Sequence, residues 1–200
     1  MNPKQILPVF FVFCALLSTV ALAADKHRIA NEGTIGDKWM LADGGTLATA
    51  TYPPALALRG DDVCIALGYL IGKDGKTSDF AVLKQWNSES GAKEPVDDFW
   101  QAFAQAGADA VSQWRFKPRP DAGVVMPTFT VATLGFQGKQ AMDPAQLRGH
   151  CKIVDLADLL EKLKADPFQR GGINKQLQEH EQQQQHQRDL DEIMRRANGG

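Results

Sequence analysis

The reactive side chains of this 200-residue chain are few and scattered, and two of its three cysteines are the most informative. Cys64 and Cys151 lie well apart from Cys14, which sits inside an apolar opening segment. Two thiols with no third competitor predict one bridge wherever disulfides form and persist. The rival chemistry is a metal site that adds His150 to the two sulfurs. Three candidate ligands without the paired close spacing of structural zinc sites fall short of that pattern. The expectation is therefore a Cys64–Cys151 disulfide, with no metal and no cofactor. The other histidines, His27, His180 and His186, fall in segments that read as tails, and the last two, six positions apart, do not share a helix face well. Catalytic signatures are missing: the sequence holds no nucleophile elbow, glycine-rich phosphate loop or His-Glu-x-x-His pattern. A non-enzyme is expected, and a small hydrolase ranks last among the functions considered.

The compartment is read from the first residues. Lys4 gives a short basic start, Ile6 to Ala24 carries no charge, and Ala21, Leu22 and Ala23 form a small-residue cleavage site. Residues 1–23 thus predict a signal peptide, cleaved after Ala23, and a periplasmic mature chain. The alternative is an inner-membrane anchor, since the apolar run approaches the ~20 residues that span a bilayer. Pro8 and the small residues at the cleavage site weigh for export. Cys14 follows Phe11, Val12 and Phe13 rather than the small residues expected before a lipid-bearing cysteine. Lys and Arg total 22 against 24 Asp and Glu, a net charge of −2, so no global field favours nucleic acid. Partners must be recognised by shape, and membrane contact is expected only if the opening segment stays uncleaved.

The elements that would position a partner begin after a loose stretch. Residues 24–49 are rich in Gly, Ala, Thr and Asp without a sustained apolar period and predict a flexible leader. Within it, Trp39, Met40 and Leu41 mark either a strand that adds onto something or, preferred, a tethered surface patch. Tyr52-Pro53-Pro54 opens a short helix over Ala55 to Leu58, ending near Gly60. Ile65, Leu67, Tyr69 and Ile71 then alternate with Cys64, Ala66, Gly68 and Leu70, the period-two pattern of a strand. Asp74-Gly75 supplies a hairpin turn, and a second strand follows over Thr77 to Trp86. Val96, Phe99, Trp100, Phe103, Ala106, Ala110, Val111 and Trp114 fall at helical spacing and predict an amphipathic helix of about five turns over Val96 to Trp114. The run Trp114-Arg115-Phe116-Lys117-Pro118 closes it, with Pro118 preventing further helix growth and Trp114 and Phe116 read as scaffold. Arg115 and Lys117 would complement the helix dipole. A third strand is predicted from Val124 to Phe136.

This order and these residues resemble the C-terminal domain of the energy transducer TonB. The resemblance rests on the Tyr52-Pro53 opening, the Asp74-Gly75 turn and the Trp114-Arg115-Phe116-Lys117-Pro118 motif, and it covers residues 50–137. It implies an α+β fold, a small three-stranded antiparallel sheet with one long helix in the order ββαβ. It also implies a site: in that family the final strand receives a peptide near the N-terminus of an outer-membrane transporter, which pairs as an added strand. Pro127, Thr128, Phe129, Thr130, Val131 and Ala132 are the corresponding partner-binding residues here. Pro127 interrupts the donor row on one side, as an edge position tolerates. Family transducers also carry a polar-containing anchor and a long Pro-rich spacer, whereas Ile6 to Ala24 has only Ser18 and Thr19 as polar residues and Thr49, Ala50 and Thr51 precede the opening. Two readings follow: a periplasmic TonB-like partner in outer-membrane transport, or a stand-alone envelope module without energy transduction.

Residues 138–200 predict a helical extension with a Gln-rich tail. Ile153, Leu156, Leu159, Leu160 and Leu163 make one apolar stripe ending before Pro167, whereas Ile173 to Arg196, with Gln182 to Gln185, is too polar for a buried face. The opposite face of the first strand, Cys64, Ala66, Gly68 and Leu70, is small and apolar and needs a cover. The disulfide would staple the stripe across it, making three layers from two.

Overall fold

The computed structural model describes residues 27–165 and 194–195. The expected signal segment with Cys14, its expected cleavage site after Ala23, and the expected tail with His180 and His186 lie outside the described residues. In chain order the elements are β1 (Arg28–Ile29), β2 (Trp39–Leu41), β3 (Val63–Ile71), β4 (Thr77–Asn87), α1 (Phe99–Val111), β5 (Phe116–Pro118), β6 (Thr128–Phe136), α2 (Pro144–Cys151) and α3 (Leu156–Ala165). Single 3-10 turns at Ile35–Asp37 and Pro54–Leu56 complete them.

Among the described residues the architecture is mixed α+β. The sheet is four-stranded, in the order β1-β6-β3-β4, and β2 and β5 form a separate two-stranded antiparallel ribbon. This corrects the three-stranded expectation: β6, β3 and β4 are the anticipated antiparallel strands, and the chain's own N-terminal residues add the fourth. β3 is buried on both faces because it lies at the centre. Its odd-numbered residues Val63, Ile65, Leu67, Tyr69 and Ile71 join Phe99, Phe103, Val111, Trp114 and Phe116 in the main core under α1. The helix comes close to the sheet at Gly107, where an added Cβ would lie 2.9 Å from both Ile65 Cδ1 and Leu134 Cδ1.

The helix is shorter than its apolar period suggested. It starts after Asp98, whose φ of 59° cannot continue a right-handed turn, and it ends at Val111. Trp114 therefore lies beyond the helix rather than on its face. Arg115 remains near the end and donates through Nη1 to the Ser112 and Trp114 carbonyls, at 2.6 and 2.7 Å.

The opposite face of the sheet is covered as its composition required. Cys64 and Ala66 pack with Val131, Leu147, Cys151, Ile153 and Leu156, and Leu159 and Leu160 lie against that cluster. Cys64 and Cys151 are bridged, with Cα atoms 6.0 Å apart across 87 residues of sequence. The stripe begins later than its apolar residues suggested, since α3 starts at Leu156. α2, which holds Leu147 and Cys151, was not anticipated. It buries only Leu147 and Cys151, and Asp143 starts it by accepting from the Ala145 and Gln146 amides at 2.9 and 3.0 Å.

The expected leader, residues 24–49, contributes two short strands over its described part, β1 on β6 and β2 on β5. Trp39 is 2% exposed, and the ribbon partner of its strand is the Phe116–Pro118 run. The preferred surface patch is thus a paired strand whose indole enters the core. Among the described residues no helix is long and apolar enough to cross a membrane.

Candidate functional site

The outer edge of β6 is the site that the resemblance implied, and its geometry follows from strand alternation. Thr128, Ala132 and Phe136 sit on the α1 face, whereas Phe129 and Val131 belong to the back cluster. One backbone side of β6 is consumed along its whole length by β3, from Ile71 opposite Thr128 to Val63 opposite Phe136. The other side is where a further strand can add.

That side is already occupied. β1 lies parallel to β6, with Arg28 opposite Thr128 and Ile29 opposite Phe129. The Arg28 amide donates to the Pro127 carbonyl at 2.8 Å and the Ala30 amide to the Phe129 carbonyl at 2.9 Å. The chain then leaves the edge through Asn31, whose side-chain oxygen accepts from the Leu156 amide at 2.8 Å and so anchors the start of α3. Glu32 returns to the edge with its side chain alone. One carboxylate oxygen accepts from the Thr133 amide and the other from the Thr133 hydroxyl, each at 2.6 Å.

Pro127, Thr128, Phe129, Thr130, Val131 and Ala132, the residues expected to bind a partner, thus lie on an edge whose start is paired with Arg28–Ile29 of the same chain. Pro127 and Phe129 give their carbonyls to the N-terminal segment, and the side chains of Thr128, Thr130, Val131 and Ala132 are buried. Pro127 has no amide to donate, yet its carbonyl begins the pairing. Sequence reasoning missed Arg28–Glu32 because a two-residue strand carries no measurable period.

The start of the edge is pinned from beneath. Trp39 Nε1 donates to Thr128 Oγ1 at 3.0 Å, and Thr128 Oγ1 in turn reaches the Met126 carbonyl at 3.2 Å. A cavity of about 170 Å³ lies between Arg28, Lys38, Trp39 and the 122–126 loop. Lys38 Nζ is held there by the Ala122 carbonyl at 2.9 Å. The opposite edge of the sheet differs. β4 breaks register with β3 twice, and Asp79 in that stretch has a φ of 53°, so the strand is bulged where a regular ladder would need it flat.

The remaining anticipated residues make contacts within the fold. Tyr52 donates to the Asp61 carbonyl at 3.1 Å and meets Phe103 edge-on, with Pro53 buried beside it. Asp74 Oδ1 accepts from the Lys76 amide at 3.1 Å and shapes the hairpin that Gly75 closes. Trp114 and Phe116 are buried, whereas Arg115 and Pro118 are exposed. His150 stacks on Trp86, with ring centroids 3.7 Å apart, and the sulfurs that would have joined it in a metal site are bonded to each other. Asp62 carried no signal in the sequence. It is buried, and its carboxylate accepts from the Gly138 and Met142 amides at 2.5 and 3.1 Å, which ties the start of the extension to β3.

The chain is similar to the C-terminal domain of TonB from Pseudomonas aeruginosa, solved in solution by NMR. The identity is 19% and the TM-score 0.40, over 55% of this chain and 94% of that one. No protein-family model matches the chain, and no curated protein matches it.

Proposed function

We propose that this chain is an exported, non-enzymatic periplasmic module that holds an extended peptide of a protein partner by strand addition along β6, in a TonB-like role in outer-membrane transport. The observation that carries it is the outer edge of β6, whose backbone groups pair with a parallel strand supplied by the chain itself. An edge that takes one extended segment offers the same main-chain groups to another. Such pairing draws affinity from backbone hydrogen bonds and asks little of side chains. The bulged β4 edge is the poorer template.

Site-specific photocrosslinking tests the reading. A crosslinker placed at Thr133 or Gly135, in the chain with its disulfide intact, should capture an envelope protein, and the same group at Asp79 on β4 should not. Capture at Asp79 alone would move the partner to the other edge and sink the β6 reading.

The closed state of the edge favours a second reading, a stand-alone envelope module without energy transduction. N-terminal sequencing separates the two. A mature start at Ala24 in the soluble fraction supports the detached module, and an intact Met1 in the membrane fraction supports a transducer.

A further inference from the structure

Two cations share the cavity of about 170 Å³ that Arg28 and Lys38 line with Trp39, Thr128 and the 122–126 loop. None of its lining residues is acidic, and neither cation enters an ion pair among the described residues. Arg28 Nη1 is buried with no hydrogen-bond partner, an arrangement that costs free energy until an acceptor meets the guanidinium. Lys38 Nζ gives one of its three donors to the Ala122 carbonyl at 2.9 Å, which leaves two. In a chain of net charge −2 this excess of positive charge is local.

Both cations stand on fixed backbone. The Arg28 amide donates to the Pro127 carbonyl at 2.8 Å, and the Lys38 carbonyl accepts from the Arg119 amide at 2.9 Å. Little ordering is therefore left for a ligand to impose. Trp39 lines the buried end, with its indole already committed to Thr128 Oγ1. The other walls, Ala122, Val124, Val125 and Met126, are apolar, and the exposed Val124 and Met126 mark the way in.

Size and wall chemistry decide among anions. An apolar cavity of about 150 Å³ holds one benzene ring, whereas ligands of drug or nucleotide size occupy roughly 300 Å³ or more. Apolar walls also give no replacement for the water shell of an inorganic anion. We infer that this cavity binds a small organic monocarboxylate, with an apolar body against Trp39, Val125 and Met126 and its carboxylate between Arg28 and Lys38. The planar guanidinium fork matches a carboxylate, and the ammonium adds a point charge. This site does not rest on strand addition at β6, because its ligand is a small molecule held by side chains.

The test titrates the full chain, with its disulfide intact, with sodium benzoate and reads the Trp39 indole N–H resonance, ionic strength being held constant with sodium chloride. Benzyl alcohol, a neutral molecule of the same size, and inorganic phosphate are the comparison probes. The expected result is a saturable shift with benzoate, and binding of either comparison probe weaker by about tenfold or more. Lys38→Gln and Arg28→Gln should each weaken benzoate by about tenfold. The comparison of probes on the unaltered chain stands whether or not either variant folds. Equal affinity for benzyl alcohol would overturn the part given to the cations, and equal affinity for phosphate would overturn the organic carboxylate. Benzoate affinity unchanged in both variants, or no saturable response at Trp39, would overturn the site.

Discussion

The backbone amide of Phe116 donates to the carbonyl oxygen of Gly75 at 2.9 Å. A hairpin turn and a strand distant in sequence are thereby joined, and Lys76 opposite Arg115 extends the contact by one bridge. Gly75 is suited to this place twice over. Its φ of 75° is one that side chains resist, and a Cβ there would run into the Phe116 carbonyl. Gly75→Ala should therefore lower stability by about 2 kcal/mol or more, as backbone strain adds to the clash. Urea unfolding should show a lower midpoint with an unchanged slope. A midpoint like that of the parent protein would mean that the turn relaxes without cost.

Trp114 carries a separate load. Its indole Nε1 donates to the Ala48 carbonyl at 2.9 Å, and its ring meets Tyr69 edge-on with centroids 5.8 Å apart. Trp114→Ala should cost about 3 to 5 kcal/mol through the cavity it leaves. Trp114→Phe keeps much of the packing and loses the hydrogen bond, so about 1 to 2 kcal/mol is expected. Thermal unfolding measures both. Full stability in Trp114→Ala, accompanied by lost peptide binding, would turn this residue from scaffold into contact.

These residues also mark what was legible in the sequence. The central strands, the hairpin, the long helix and the disulfide could be read because each has a strong local or pairwise signature. Period-two alternation runs through Cys64 to Ile71, Asp74-Gly75 is a turn dipeptide, and two cysteines leave a single pairing. The occupied edge could not be read. Arg28–Ile29 and Trp39–Leu41 are strands of two and three residues, each specified by a distant partner rather than by its own pattern. The same holds for α2, whose eight residues carry no amphipathic stripe of their own and are positioned by Asp62, the Asp143 cap and the disulfide. As a result β6 itself could be read from the sequence, but the segment that pairs with its outer edge could not.

The Cys64–Cys151 bridge closes a loop of 87 residues and is fully buried at both ends. In the chain-entropy model a loop of this length contributes roughly 4 to 5 kcal/mol by restricting the unfolded chain. Reduction in denaturant, followed by alkylation and removal of the denaturant, should lower the unfolding midpoint by a matching amount. Burial also predicts that a reductant acts slowly on the native protein and quickly on the unfolded one. Non-reducing peptide mapping checks the pairing itself. Free thiols at both positions in protein isolated from an oxidising compartment would remove the staple.

Tyr69 makes stability depend on pH at the alkaline end. It is 2% exposed, and burial, assisted by the charge of Glu32, holds its phenol well above the ordinary tyrosine range. The protonated phenol is the form the fold favours. Below a pH of about 10, folded and unfolded chains both keep the proton, and the contribution to stability is complete. Above it the unfolded chain releases the proton and the folded chain does not, so unfolding becomes easier as pH rises. The slope approaches about 1.4 kcal/mol per pH unit for one such group. Tyr52, raised mainly by its own burial and next by Asp61, adds to the effect in the same direction. Tyr69→Phe should flatten the fall in stability between pH 9.5 and 11 relative to the parent protein, whatever it costs at neutral pH. Denaturant unfolding at three or four pH values gives both slopes. Equal slopes would mean that the Tyr69 phenol ionises as readily in the folded protein as in the unfolded chain, and that the packing around it admits a charge.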